Sequence, residues 1–208
     1  MLTSLSVNDF LNEIASNSPA PGGGSVSALA ASLGAALTSM VCRLTLGKKK
    51  YADVQKEMEK ALKQSEELRA QFNAIIDEDT LAFNKVMAAY GLQKETEEQI
   101  VKREAEIQEA MKTATLVPLK LMGLCIEAMG LVKLVVERGN QNSISDAGVA
   151  ALMLHAGCEG ATLNVKINLA SLSDAHFVEQ TKTTLEQQRT SLDTFTSLIF
   201  TSVNKHLA

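Results

Sequence analysis

The sequence predicts an all-helical protein, a bundle of long antiparallel helices, and three observations lead to this prediction. Alanine, leucine, lysine, glutamate and glutamine, which favour helix, dominate long stretches of the 208 residues. No run alternates apolar and polar residues for long enough to predict a strand. Only three prolines occur, at positions 19, 21 and 118, so the chain imposes few breaks on its helices. Together these features favour helices packed on helices.

Capping residues, glycines and prolines indicate where each helix begins and ends. Ser6, with the acid Asp9 three residues later, predicts the start of a short helix that reaches about residue 16. Pro118 predicts a kink or break within the fourth helix, because proline lacks the N–H of the helical ladder. The other predicted helices are residues 25–46, about 52–89 with Gly91 as the stop, 95–138 interrupted at Pro118, 145–171 with Ser145 as the cap, and a last helix starting at Ser173 or Asp174.

Length, charge and cysteine content narrow the class of protein. A single domain is expected over residues 1–208, because this length buries a sizeable core and no linker or repeat divides it. The formal net charge of −4 argues against nucleic acid as a partner. Cys42, Cys125 and Cys158 lack paired spacing and no secretory signal is visible, which favours buried reduced thiols in a cytoplasmic protein. The apolar run 26–46 nearly reaches membrane-spanning length, but its many alanines and hydroxyl side chains favour a buried helix without membrane contact.

Residues 19–29 form the most informative segment, because two prolines and three glycines lead directly into a helix of small residues. Gly22, Gly23 and Gly24 leave backbone N–H groups free at the helix start, where the helix dipole favours an anion. Ser25 stands where the helix is predicted to begin and is a candidate N-cap. The segment therefore indicates either an anion site or an ordinary capped helix entry whose glycines allow close packing.

An acidic segment within the third predicted helix supplies the candidate catalytic group. Asp79 falls in an apolar stripe, at helical spacing from Ile75, Ile76 and Phe83. A carboxylate on an apolar face is unfavourable unless it is paired or hydrogen-bonded. Asp79 is therefore a candidate general acid/base, and the alternative is a structural ion pair or an interface position. Asp77 projects about 160° away and is expected to be an ordinary solvated charge.

One face of the fifth predicted helix combines small and polar residues. Asp146, Gly157, Gly160, Asn164 and Asn168 follow one another at helical spacing. Because each glycine within a helix costs about 1 kcal/mol relative to alanine, either another backbone or a planar ligand must come close. The two asparagine amides could bind a heterocycle, or the face could be a helix–helix seam with an asparagine network. Asp146 could instead favour the helix dipole.

A basic corner follows the second predicted helix. Lys48, Lys49 and Lys50 could bind carboxylates or could form a solvated turn. The helix over residues 25–46 is roughly 33 Å long, so only an oligomer could bring this corner and the glycine loop into one site. The three histidines do not cluster and match no metal-ligand spacing, so no metal site is expected.

Five separated segments of the chain together resemble one known family. The segments are residues 19–25, residues 46–51, residues 77–79 with Phe83, residues 142–149, and residues 164–168. In this order they are similar to the cyclodeaminase/cyclohydrolase family, which includes the C-terminal domain of formiminotransferase-cyclodeaminase and stand-alone bacterial proteins. The resemblance extends over nearly the whole chain. The formiminotransferase part is absent from this chain, so that activity is not expected.

The resemblance implies an all-helical homodimer that acts on a tetrahydrofolate derivative and needs no tightly bound cofactor. In a cyclodeaminase, N10 of 5-formimino-tetrahydrofolate attacks the formimino carbon, and the adduct expels ammonia to give 5,10-methenyl-tetrahydrofolate. In a cyclohydrolase, water adds to the methenyl carbon, and ring opening gives 10-formyl-tetrahydrofolate. The expected activity is the cyclodeaminase, with the cyclohydrolase or a non-catalytic helical binding module as alternatives. A cavity at Asp79 and Asn164 that is open to solvent would favour an enzyme over a scaffold.

The resemblance also suggests roles for the candidate residues. Asp79 would take the proton from N10 and help deliver it to the leaving ammonia, and Asp77 is the second candidate base. Asp146, Asn164 and Asn168 would orient the pterin or the bridging carbon. The glycine loop and the lysine corner would hold the glutamate tail, with contributions from two subunits as an option. The substrate-binding candidates are Gly22, Gly23, Gly24, Ser25, Lys48, Lys49, Lys50, Asn142, Asp146, Asn164 and Asn168.

Overall fold

The computed structural model describes residues 1–207 and confirms the predicted all-helical bundle. No residue within 1–207 lies in a strand. The described chain forms six α-helices and three short 3-10 helices, the latter at Leu2–Ser4, Lys49–Val54 and Gln141–Ser143. The α-helices are α1 (Val7–Ile14), α2 (Gly23–Thr45), α3 (Gln55–Tyr90), α4 (Glu97–Arg138), α5 (Ile144–Leu169) and α6 (Ala175–Leu207).

Helices α2 to α5 form an antiparallel four-helix bundle, and α6 covers one side of it. Helix α2 packs against α3 and α5, and α4 packs against the same two helices. Ser32 of α2 bonds Asn73 of α3, and Ser39 farther along α2 bonds the earlier residue Ser65, so the two helices run in opposite directions. Helix α6 lies against α4 and α5. Large side chains from α3 to α6, among them Phe72, are fully buried, whereas α2 buries small residues such as Ala28 and Ala31.

The glycines of α5 serve a close helix–helix contact, which is one of the two alternatives that the sequence left open. A Cβ atom at Gly157 would lie 2.7 Å from the backbone oxygen of Ser27 in α2. A Cβ at Gly160 would collide with the hydroxyl of the same serine. Because only glycine avoids these collisions, the small-residue face brings the backbones of α2 and α5 together.

Two predicted helix starts are wrong by a few residues. Helix α2 begins at Gly23 with Gly22 as its N-cap, so Ser25 lies in the first turn instead of capping it. Helix α5 begins at Ile144, because the preceding 3-10 turn leads straight into it, and Ser145 is therefore not the cap. By contrast, the Ser6 hydroxyl accepts a hydrogen bond from the N–H of Asp9, as the sequence predicted.

Of the kink or break predicted at Pro118, the break does not occur, because α4 continues as one helix from Glu97 to Arg138. Proline at this position leaves the carbonyl of Ala114 without its usual helical donor. The side-chain amide of Asn168, in α5, donates to that carbonyl at 2.9 Å. A neighbouring helix thus replaces the missing hydrogen bond, and the helix tolerates the proline.

The apolar helix and the cysteines agree with the sequence interpretation. Within residues 1–207, α2 alone has the length and composition of a membrane span, and 61% of its most apolar window is buried inside the bundle. Cys42, Cys125 and Cys158 are buried and free, as predicted. Hydrogen bonding to Cys158 and burial raise the pKa of the Cys125 thiol, so Cys125 is poorly suited to act as a nucleophile.

Candidate active site

A pocket of about 340 Å³ lies where the glycine loop meets α3, α4 and α5. The loop contributes Gly22, Gly23 and Gly24 to its wall. The facing helices contribute a carboxylate, two amides and several apolar side chains, which include Asp79, Phe83, Val86, Met111, Asn164 and Asn168. The structure therefore brings the glycine loop, the predicted acid and both predicted asparagines into one place.

Asp79 is the only ionisable side chain among the residues that line this pocket. Burial raises the pKa of its carboxyl, and the hydroxyl and backbone N–H of Ser25 lower it in part. The side chain is half-buried, so it is reachable from the pocket. A carboxyl whose pKa is raised towards neutral pH is suited to accept a proton in one step and return it in the next.

Ser25 holds Asp79 from the first turn of α2. Its Oγ lies 3.1 Å from Oδ2 of Asp79 and 2.9 Å from the carbonyl oxygen of Ile76. One hydroxyl hydrogen can serve only one acceptor at a time. When Asp79 is ionised, Ser25 donates to the carboxylate; when Asp79 is protonated, the carboxyl donates to Ser25, which then donates to Ile76. Ser25 thus offers a partner to both protonation states, a role that its sequence position did not reveal.

The glycine loop meets the carboxylate of Asp79 itself. A Cβ at Gly24 would lie inside the van der Waals envelope of that carboxylate, so only glycine fits there. A Cβ at Gly23 would lie 3.6 Å from Nδ2 of Asn164, which is an ordinary contact. The positive end of the α2 dipole therefore faces a side chain of the protein, and Asp79 provides an anion at the predicted site.

The two asparagines are anchored through their amide nitrogens. Nδ2 of Asn164 donates to the carbonyl of Gly160, one turn earlier in α5, at 2.8 Å. Nδ2 of Asn168 donates to Ala114 in α4 at 2.9 Å. No residue within 1–207 donates to the Oδ1 atom of either amide. Both carbonyl oxygens are therefore available as acceptors, and both residues line the pocket.

The other acids of the predicted cluster have different partners. A carboxylate oxygen of Asp77 accepts a hydrogen bond of 2.8 Å from the backbone N–H of Leu2, and Asp77 is not among the pocket residues. Glu78 forms an ion pair of 3.1 Å with Lys120 of α4. Of the two aspartates predicted as the base, only Asp79 faces the pocket.

Five predicted binding residues lie at the opposite end of the bundle. Lys48, Lys49, Lys50 and Asn142 are exposed, and Asp146 is half-buried in the first turn of α5. Helix α2, of 23 residues, separates this end from the glycine loop by about 34 Å. The structure therefore forms two clusters of predicted site residues, one at each end of α2 and α5.

Tyr51 ties the lysine corner to the start of α5, a contact that the sequence analysis missed. Its hydroxyl accepts a hydrogen bond of 3.1 Å from the backbone N–H of Gln141. The same hydroxyl lies 3.4 Å from Oδ1 of Asn140. This contact joins the 3-10 helix Lys49–Val54 to the 3-10 helix Gln141–Ser143. It therefore holds the lysines near Asn142 and Asp146.

A larger groove, of about 530 Å³, lies between the C-terminal part of α3 and the N-terminal part of α4. Its charged residues, among them Lys85, Lys102, Glu106 and Glu109, include both signs. The acids of this groove are exposed, whereas burial raises the pKa of Asp79, so the smaller pocket is better suited to proton transfer. Within residues 1–207, no group of three or more histidine, cysteine, aspartate or glutamate side chains is placed to hold a metal ion.

Comparisons with known proteins relate this chain to a family. The family model described as Formiminotransferase-cyclodeaminase matches residues 6–187. The methenyltetrahydrofolate cyclohydrolase of Methylorubrum extorquens is 48% identical over 180 residues, which is 86% of each chain. The formimidoyltransferase-cyclodeaminase of Rattus norvegicus is 36% identical over 181 residues. That match covers 87% of this chain and 34% of the rat protein, so the chain spans about a third of that relative.

A solved structure matches over the full length of both chains. It is the crystal structure of formiminotetrahydrofolate cyclodeaminase from Thermotoga maritima, with a TM-score of 0.91 and 31% sequence identity. The match covers 100% of this chain and 100% of the Thermotoga chain.

Proposed function

The chain belongs to the formiminotransferase-cyclodeaminase family, and from this premise we propose that it is an enzyme acting on the one-carbon bridge of a tetrahydrofolate derivative. We propose 5,10-methenyl-tetrahydrofolate cyclohydrolase as its activity. The support is the cyclohydrolase relative, which has 48% identity compared with 36% and 31% for the two cyclodeaminases described above. That relative also matches this chain over most of its own length, whereas the rat protein is about three times longer.

The observation that carries the proposal is the single ionisable group in the pocket. Hydrolysis of a methenyl bridge takes a proton from the attacking water, delivers one to N5 and releases one to solvent. Asp79 can both accept and return a proton there, because burial raises the pKa of its carboxyl and Ser25 serves both of its states. A scaffold protein would have no need of a reachable carboxylate in a solvent-open pocket.

In the proposed mechanism Asp79 acts first as a base and then as an acid. Ionised Asp79 accepts a proton from the water that attacks the methenyl carbon, which gives a neutral carbinol adduct and a protonated carboxyl. Asp79 then returns this proton to N5 as the bond between the carbon and N5 breaks. The hydroxyl proton of the adduct leaves to solvent, and the product is 10-formyl-tetrahydrofolate. Ser25 donates to the carboxylate before the first step and accepts from the carboxyl after it.

Cyclodeaminase activity is the second candidate, and the Thermotoga structure favours it. That cyclodeaminase shares the fold over the whole of both chains. The same carboxylate could take the proton from N10 as N10 attacks the formimino carbon, and could then protonate the departing ammonia. Both reactions therefore need a proton carrier at the same atom, and they differ in the substrate that supplies the carbon.

We also propose that a second copy of the chain completes the site. Apolar side chains that are exposed or half-buried recur along α2 at alternating steps of four and three residues. They are Val26, Ala30, Leu33, Leu37, Met40 and Leu44. Exposed apolar residues also occur on the neighbouring α5, where Ile167 is 70% exposed and borders the pocket. Apolar stripes of this length are typical of helix-pairing surfaces.

A two-fold pairing through α2 would bring the two clusters together. In an antiparallel pair, the C-terminal end of one α2 lies beside the N-terminal end of the other. The lysine corner of one copy would then lie near the glycine loop of the other copy, although the two are far apart within a single chain. The acidic glutamate tail of a folate is the ligand that three exposed lysines suit. Asn142 and Asp146 would lie beside that tail.

The experiment that tests the function compares two substrates on one preparation. The purified protein is given 5,10-methenyl-tetrahydrofolate, and loss of the methenyl absorbance is followed against the uncatalysed rate. A parallel sample is given 5-formimino-tetrahydrofolate, and ammonia release is measured. Hydrolysis without ammonia release supports the cyclohydrolase, whereas ammonia release ahead of hydrolysis supports the cyclodeaminase. Acceleration of neither reaction by the folded protein would reject both.

A further inference from the structure

Pro118 leaves one backbone carbonyl of α4 without its usual helical hydrogen-bond donor. It lies in the interior of a continuous helix of 42 residues. In such a helix the carbonyl of residue i−4 accepts from the N–H of residue i, and proline has no N–H. Ala114 is half-buried, and its carbonyl therefore gains from a donor elsewhere, because a carbonyl shielded from water without a partner is destabilising.

The donor comes from Asn168, 54 residues away in sequence. Its Nδ2 lies 2.9 Å from the oxygen of Ala114, and the bond crosses from α5 to α4. Both residues line the pocket, so the bond lies at the pocket wall. No other asparagine of the pocket bonds to α4, since Asn164 donates to Gly160 within its own helix.

This bond fixes which way the Asn168 amide faces. An asparagine amide can rotate by half a turn and exchange its oxygen and nitrogen positions. With Nδ2 committed to Ala114, the carbonyl oxygen Oδ1 points to the other side of the amide, where no residue within 1–207 donates to it. If Ala114 had its ordinary helical donor, its carbonyl would depend less on Asn168, and the amide would be held less firmly in this orientation.

We propose that Pro118 is a positioning residue for ligand recognition: by leaving Ala114 unpaired, it locks Asn168 with its carbonyl oxygen presented to the pocket as a hydrogen-bond acceptor. An acceptor fixed in this way selects a ligand edge that carries N–H donors. The pyrimidine ring of a pterin has such an edge, formed by its N3–H and its 2-amino group. The identity of this ligand rests on the proposed function, whereas the coupling of Pro118 to Asn168 does not.

The coupling is tested by the stability of the wild type, the two single variants at Pro118 and Asn168, and the double variant, without any assay of activity. Asn168→Leu keeps the size of the side chain but removes the donor, so in the wild-type background it leaves Ala114 unpaired. We expect it to lower the folding equilibrium constant by roughly fivefold to tenfold, as loss of a partner for a half-buried carbonyl does. Pro118→Ala restores the helical N–H, so in that background Asn168→Leu should cost several times less.

Asn164→Leu is the matched control, because it changes the same residue type in the same pocket. Gly160 keeps its helical donor when the Asn164 side chain is lost, so Pro118→Ala should not alter the effect of Asn164→Leu. Urea unfolding measures all the variants. Equal costs of Asn168→Leu with and without Pro118→Ala would overturn the coupling, and so would equal coupling of both asparagines.

The recognition role is tested by the kinetics of Pro118→Ala with 5,10-methenyl-tetrahydrofolate. The variant should fold at least as stably as the wild type, since alanine favours helix. We expect KM to rise about fivefold to tenfold with little change in kcat, because a freed amide weakens binding of substrate and transition state alike. An unchanged KM would overturn the recognition role. If the wild-type protein neither binds nor converts the folate, the proposed function and this role both fail, while the unfolding data still decide the coupling.

Discussion

The hydroxyl of Ser25 lies 3.1 Å from the carboxylate of Asp79 and so joins the first turn of α2 to the middle of α3, across 54 residues of sequence. The same hydroxyl lies 2.9 Å from the carbonyl oxygen of Ile76, which gives its hydrogen a second acceptor. Burial raises the pKa of Asp79 and Ser25 lowers it. The proton transfer that we propose depends on the pKa that these two opposing effects give to Asp79, and the first prediction tests this dependence.

Removing the Ser25 hydroxyl should move the acid limb of the pH profile to higher pH. Ser25→Ala removes a donor to the ionised carboxylate, so the pKa of Asp79 rises further. Because Asp79 must be ionised to accept the first proton, kcat/KM should fall most at low pH and recover at high pH. The pH dependence of kcat/KM measures this shift.

Ser39→Ala is the control for that experiment, since Ser39 also lies buried on α2 and bonds Ser65 at 3.1 Å, far from the pocket. No charged group shares the pocket with Asp79; the nearest acids in α3, Asp77 and Glu78, bind Leu2 and Lys120, and Lys112 of α4 binds Asp174. A uniform loss of activity at all pH values in Ser25→Ala would contradict a role in proton transfer.

Asp79→Asn should stabilise the protein at neutral pH while it abolishes activity. The pKa of Asp79 is raised on folding, so its ionised form opposes folding at any pH above the ordinary aspartate pKa of about 3.9. An amide has no charge to bury and can still accept from Ser25. Thermal unfolding at pH 7 should show a gain of a few °C, the shift that about 1 kcal/mol produces in a chain of this size. The gain should shrink as the pH falls and Asp79 becomes protonated; a gain that is independent of pH would show that burial of the charge is not its cause.

Gly24→Ala should reduce activity about a hundredfold or more, because the added methyl group displaces the Asp79 carboxylate. Gly23→Ala is the matched control one residue earlier in the same turn. Its methyl group meets Asn164 at an ordinary distance of 3.6 Å, so activity should stay near that of the wild type. Steady-state kinetics on both folded variants measures the difference. Similar activities of the two variants would argue against the tight fit of Asp79 on α2.

Two inactive variants should complement each other if the site is shared between copies. Asp79→Asn disables the acid, and a triple alanine change at Lys48, Lys49 and Lys50 disables the basic corner. A purified heterodimer of the two, co-expressed with different tags, contains one intact site of two and should show about half of the wild-type activity. If the heterodimer is as inactive as its parents, or if the lysine variant alone is fully active, the two clusters do not form one site.

The sequence predicted the helices well because composition and periodicity act locally. It also singled out Asp79, which lines the pocket, since an aspartate on an apolar stripe is visible from spacing alone. Asp77 remained a competitor, because its hydrogen bond to Leu2 joins residues that are 75 positions apart. Only the fold separates the two.

The wrong predictions at Ser25 and Pro118 also arise from hydrogen bonds between residues that are far apart in sequence. Ser25 has the chemistry of an N-cap, but its hydroxyl is used by Ile76 and Asp79 of another helix, so the helix starts earlier, at Gly23. Pro118 has the chemistry of a helix breaker, and a donor from α5 prevents the break. In both cases a tertiary hydrogen bond overrides the local preference, and such bonds leave no local pattern in the sequence.

The most direct test of Asp79 as the proton carrier is the rate at which Asp79→Asn converts 5,10-methenyl-tetrahydrofolate, measured beside the wild type on fully folded samples. The wild-type protein should accelerate loss of the methenyl absorbance, and the variant should be slower by about a hundredfold or more. Ammonia release from 5-formimino-tetrahydrofolate, measured on the same samples, should fall in the same way if that reaction is also catalysed. A folded Asp79→Asn variant with near-native turnover of either substrate would contradict the assignment of this pocket as the active site.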